Sequence, residues 1–120
     1  IGASVTVGVE PQDFAYAPVP AIRALLVRLG VGAADVDLWE VQEAFAVVPL
    51  AVLREIDGVD PERVNVHGGA IAYGHPLGAS APRLVADCAR ELRRRGGGLG
   101  VVAVCIGVGQ GQAIAVHVDG

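Results

Sequence analysis

The 120-residue chain has no lysine, two cysteines, few aromatic side chains (4%) and few charged ones (18%). Nine arginines stand against thirteen acidic residues, a net charge of -4, and they are scattered. No basic stripe exists to follow a phosphate backbone, so nucleic acid is excluded as a partner. No apolar run is long enough, uncharged enough and free of turn residues to cross a bilayer, which excludes a membrane-spanning reading. Two cysteines, one in a helical pattern and one at a strand end, do not form a secreted disulfide framework, and no charged-then-apolar leader opens the chain. A reducing, cytoplasmic setting is the expectation. No Cys/His spacing suggests a metal. Gly96-Gly97-Gly98 is not a phosphate loop, because no helix begins there and no Lys-Ser/Thr follows; it reads as a helix stop. The missing lysine beside abundant Ala, Val and Gly fits GC-biased coding and says nothing about activity.

What is present reads as α/β. A 52% hydrophobic chain of this length supports one compact domain, 1–120. Ser4 to Val9 is a short β-branched run, and Pro18 to Leu29 places Val19, Ile22, Leu25, Leu26 and Leu29 at helical spacing before Gly30. Val36 to Val41 predicts a second strand. Phe45, Val48, Val52 and Leu53 then predict a helix ending near Glu55, with a late start or kink at Pro49. Arg63 to Val66 predicts a brief third strand. Ala81 to Leu92 predicts a helix with Pro82 in its first turn and Arg93 to Arg95 as a solvated end. Leu99 to Ile106 and Ala113 to Val118 predict two final strands joined by the turn from Gly107 to Gly111. The order βαβαβαββ implies a single layered domain with a mixed, mostly parallel five-stranded sheet. Gln42, the loop from His67 to His75, and Cys105 fall at C-terminal strand ends, where ligands gather in such sheets.

Two loops carry the chemistry: Gly74-His75-Pro76-Leu77-Gly78 and Cys105-Ile106-Gly107-Val108-Gly109. A His and a Cys on glycine-rich loops, where backbone comes close to a ligand, suit acyl transfer, which needs proton transfer beside an oxyanion site. Bland alternatives exist for each. His75 alone reads as a hydrogen-bonded loop residue and Cys105 alone as a small buried hydrophobe. His67 and His117 read as structural, Cys88 as inert core, and Glu43 as a residue favoured by a helix start.

The runs Ala17-Pro18-Val19-Pro20-Ala21, Glu40-Val41-Gln42-Glu43-Ala44-Phe45-Ala46, Val64 through Ser80, and Cys105 through Gly111 together resemble the C-terminal domain of thiolases, in order and over almost the whole chain. The resemblance implies an acyltransferase whose N-terminal half supplies a nucleophilic Cys that takes the acyl group from an acyl-CoA. It implies that His75 activates the nucleophile and helps hold a thioester oxygen. Cys105 would act as acid or base on the attacking carbon or leaving thiol, and the Gly107 backbone would complete a second oxyanion hole. Gln42 stands where the family has an Asn that holds a water, one methylene shorter, and it either displaces that water or reaches the substrate oxygen itself. Ala44 and Phe45 would line the pantetheine path. The implied partners are acyl-CoA or CoA, an N-terminal thiolase half on the same or another chain, and a homo-oligomer of the complete enzyme. The CoA thioester is substrate and no further cofactor is implied. A non-catalytic acyl-CoA-binding or assembly domain is the alternative, less favoured because His75 and Cys105 are both intact.

Overall fold

A computed structural model describes residues 1–120. Four strands, β1 (Ser4–Gly8), β2 (Leu38–Val41), β3 (Gly98–Ile106) and β4 (Gln110–Val118), form one sheet in the order β1-β4-β3-β2. Only β2 and β3 run parallel, while β3/β4 and β4/β1 are antiparallel. The sheet is mixed as expected, but it is neither five-stranded nor mostly parallel. The antiparallel share follows from the three-residue turn 107–109, which folds β4 straight back on β3 with Ile106 opposite Gln110.

The predicted strand over Arg63 to Val66 is the element that fails. Pro61–Arg63 forms a 3-10 turn, and only Val64 bridges in parallel to Trp39. Asn65 then adopts φ 48°, which turns the chain away from the sheet. Its atoms still serve the edge. Asn65 N donates to Trp39 O at 2.8 Å, its Oδ1 accepts from Val41 N at 2.8 Å, and its Nδ2 donates to Val41 O at 2.9 Å. One residue thus takes over the pairing that a fifth strand would have given β2.

Helix α1 (Pro18–Leu29) matches its predicted bounds, opened by Pro18 and closed by left-handed Gly30. In α2 (Val47–Glu55) Pro49 is the third residue, so the start is late and no kink is needed. A single turn, α3 (Ala70–Tyr73), precedes the His75 loop and was not foreseen. Helix α4 (Leu77–Arg95) begins four residues before the predicted Ala81, so Pro82 lies inside it, beyond the first turn. The cost is one absent N–H facing the Gly78 carbonyl.

Alternation along the strands sorts the core into two layers. Trp39, Val41, Val101, Ala103, Ala113 and Ala115 pack with α1 and α2, while Leu38, Val102, Val104 and Val116 pack with Leu84, Cys88 and Leu92 of α4. The contact between α4 and β3 is close enough that a Cβ at Gly100 would overlap Cys88 Sγ and crowd Leu92. The result is a three-layer α/β/α domain whose β2 and β3 ends open beside the start of α4.

Candidate active site

Gln42 directly follows β2 and its N–H donates to Ala103 O at 2.9 Å, which extends the β2/β3 ladder and fixes the residue. Its side chain is buried, with Nε2 3.0 Å from His75 Nδ1. The longer side chain carries its amide to the imidazole. Ser80, buried near the start of α4, places its Oγ 2.6 Å from the same nitrogen.

The loop bearing His75 is braced from both sides. Tyr73 Oη donates to Gly68 O at 2.8 Å, and Arg83 donates to Gly74 O at 3.1 Å while its guanidinium lies 4.0 Å over the Tyr73 ring. Gly74, at φ 90°, lets the chain leave α3 and enter the His75-Pro76 turn. Glu43 supports the same segment: its carboxylate accepts from Asn65 Nδ2 at 3.1 Å and from Ile71 N at 3.0 Å. The helix-start role expected of Glu43 is thus real but is played at α3, and a Cβ on Gly69 would overlap that carboxylate.

Cys105, the penultimate residue of β3, is half-buried and packs against the α1-side core. Burial raises its thiol pKa, with a backbone hydrogen bond opposing the shift, so the sulfur carries its proton at neutral pH. Gly107 follows in the turn, with open space where a Cβ would stand.

One open cleft of about 290 Å³ gathers Gln42, His75, Ser80, Cys105, Gly107 and Gln112. The three residues expected to converge on one pocket do so. Ala44 and Phe45 are not among the lining residues; Phe45 is largely exposed and packs edge-on against Phe14 with centroids 5.9 Å apart. Sequence reading missed Ser80 and Gln112. Ser80 lies within the His75 run, where its place at a helix start was a usable signal, whereas Gln112 needed the strand pairing to be found.

The remaining candidates lie elsewhere. His67 Nε2 is 3.0 Å from Glu91 Oε2, and His117 is exposed beside Asp119. Arg94 and Arg95 are not simply solvated: each bonds the Glu91 carboxylate at 2.7 Å, Arg94 at both oxygens. Those bonds, Arg94 first, hold Glu91 well below the usual carboxylate range. Cys88 is fully buried, and desolvation pushes its pKa to about 12, which makes it inert.

The profile of the thiolase C-terminal domain matches residues 1–118. The chain belongs to the thiolase family. Mouse cytosolic acetyl-CoA acetyltransferase is 49% identical over 110 residues, 92% of this chain and 28% of that protein. Human mitochondrial 3-ketoacyl-CoA thiolase is 50% identical over 110 residues, again 92% of this chain and 28% of that protein. Among solved structures, the human mitochondrial 3-ketoacyl-CoA thiolase in complex with CoA superposes with a TM-score of 0.92 at 46% identity, covering 98% of this chain and 29% of that one. A thiolase from Ascaris suum in complex with coenzyme A superposes at 0.90 and 45% identity, covering 95% of this chain and 29% of that one. This thiolase domain therefore spans under a third of the length of the relatives it matches.

Proposed function

We propose that the chain is the C-terminal catalytic domain of a thiolase-type acyl-CoA acyltransferase acting on 3-ketoacyl-CoA, by condensation or by thiolytic cleavage, together with an N-terminal half that carries the nucleophilic cysteine. The observation that carries this reading is the meeting of His75, Cys105 and Gly107 at one cleft, each from a separate segment. In the cleavage direction His75 takes the thiol proton of the N-terminal cysteine as its sulfur attacks the keto carbon, and the bond to the neighbouring carbon breaks. The departing carbanion takes the proton that burial keeps on Cys105. The Cys105 thiolate then accepts the proton of the incoming CoA thiol as the CoA sulfur attacks the acyl-enzyme, and the released cysteine recovers its proton from His75, which returns all three groups to their starting states. His75 and the Gly107 N–H stabilise the oxygens on which charge develops. The CoA thioester is the substrate and no further cofactor takes part.

By this reading the isolated chain is inactive, since Cys88 is buried and Cys105 already has its role. The complete enzyme is a homo-oligomer working in lipid metabolism in the cytoplasm; the mouse relative is named cytosolic and the human relative mitochondrial.

Joining the domain to an N-terminal thiolase half and measuring acetoacetyl-CoA cleavage by CoA tests the assignment. A general acid or base is worth roughly a hundred- to ten-thousand-fold, so His75→Ala should lower the rate by that factor with the fold intact. Unchanged activity in that variant would refute the role of His75. A folded, unmutated assembly without activity would point instead to an acyl-CoA-binding or assembly domain.

A further inference from the structure

Ser80 has no task in the reading above, yet its hydroxyl makes the shortest contact to His75. It is 2% exposed, and His75 Nδ1, at 2.6 Å, is its one side-chain hydrogen-bond partner in the protein. Gln42 Nε2 approaches the same nitrogen at 3.0 Å. A carboxamide nitrogen has hydrogens to give and no lone pair to offer, so Nδ1 is the acceptor and the neutral ring carries its hydrogen on Nε2. Turning the amide over would offer Oε1 to an Nδ1–H. It would also leave the Ser80 hydroxyl hydrogen and both amide N–H bonds without acceptors, whereas the orientation present leaves Gln42 Oε1 and one amide N–H without a partner. One unmet acceptor and one unmet donor cost less than three unmet buried donors.

We propose that Ser80 is a positioning residue for the acyl transfer: with Gln42 it aims two donors at Nδ1 of His75, fixes the Nε2–H tautomer, and so presents a hydrogen to a thioester oxygen in the cleft. The substrate in that statement rests on the thiolase reading, but the tautomer does not. Resting His75 is then a hydrogen-bond donor, and it takes a proton at Nε2 only after the hydrogen has moved to Nδ1 and the Gln42 amide has turned.

The test reads the ring nitrogens directly. Magic-angle-spinning 15N spectra of the 120-residue chain at pH 8, with the His75 signals identified by their loss in His75→Ala, should show Nε2 protonated and Nδ1 bare. Ser80→Ala should lower the Nε2–H to Nδ1–H ratio about fivefold, the worth of one net hydrogen bond, and Ser80→Thr, which keeps the hydroxyl, should restore it. A hydrogen on Nδ1 in the unmutated chain overturns the proposal, as does an unchanged ratio in Ser80→Ala. Should Ser80→Ala fail to fold, the unmutated spectrum decides alone. In the two-half assembly Ser80→Ala should lower kcat about fivefold with KM unchanged. An inactive unmutated assembly whose His75 is nonetheless Nε2–H would remove the thiolase reading and leave the positioning of His75 standing.

Discussion

Val108, at the tip of the turn that carries Gly107, is a β-branched residue held at φ 65° with 80% of its surface exposed. Such a residue in left-handed backbone stores about 1–3 kcal/mol of strain, and no burial of Val108 offsets it. Glycine removes the strain and loses roughly 0.5–1 kcal/mol through its freer unfolded chain. Val108→Gly should therefore stabilise the domain by about 1 kcal/mol, read as a higher urea midpoint at unchanged slope; an equal or lower midpoint would show that the turn is relaxed. The two cysteines teach a complementary lesson. Periodicity placed Cys88 on the apolar side of α4, where it is wholly buried, and neighbouring glycines marked Cys105 as the thiol near a ligand. Gln42 was legible as a site residue, yet its contact with Nδ1 of His75 joins positions 33 apart and no local pattern encodes it.

Helices α1 and α4 were legible because each combines a 3.6-residue apolar period with punctuation: Pro18 and Gly30 for α1, Gly96 for α4. The start of α4 was hidden because Pro82 resembles a first-turn proline, whereas the helix accepts it inside and begins at Leu77. Arg63 to Val66 has the composition of a strand and fails as one because a left-handed Asn65 ends its extension at the first bridge. At the level of elements Asn65 is the joint: it closes the edge of β2, holds Glu43 and thereby steadies α3 and Gln42. Asn65→Ala leaves the Val41 N–H and C=O without partners at a half-buried edge, which costs about 1–3 kcal/mol. Thermal unfolding should show a fall of several degrees, and Asn65→Asp, which keeps the acceptor but loses the donor and faces the Glu43 carboxylate, should not recover it. An unchanged midpoint in Asn65→Ala would mean that water replaces the side chain without loss.

For the molecule as a whole, charge inside the fold sets the response to pH. Glu40 on β2 is buried, and burial together with Asp87 and Glu91 of α4 and Glu43 of the following loop raises its pKa to about 7 from 4.5. Arg94 and Arg95, at the end of α4, are bonded to Glu91. The folded state therefore binds a proton that the unfolded chain releases, and the contribution to stability, complete below pH 4.5, is lost as pH rises through about 7. The loss approaches about 3 kcal/mol. Glu91 has the opposite sign, since its lowered pKa gives stability that disappears only as pH falls below the ordinary carboxylate range. Glu40→Gln should flatten the decline on the alkaline side without touching the acid limb, measured by urea denaturation from pH 4 to pH 8; a slope equal to that of the unmutated protein would sink the assignment. Leu77 at the cleft, with Ile71 and Val108, is more than 60% exposed, and Phe45 is 59% exposed. If an N-terminal half covers them, the chain alone should self-associate in sedimentation and become monodisperse when that half is added. A well-behaved monomer of the isolated chain would argue for a self-sufficient domain.

The sequence by itself determined the α/β class, the extents of α1 and β3, and the identity of the His and Cys that share the cleft, because each rests on local chemistry: a period, a cap, a glycine beside a reactive side chain. Only the tertiary structure decided the antiparallel majority of the sheet, the replacement of a fifth strand by one asparagine, the grip of Gln42 and Ser80 on His75, and the proton held on Glu40. These depend on which atoms meet across long sequence separations and on how far water is excluded where they meet, and neither is written in any single stretch of the chain.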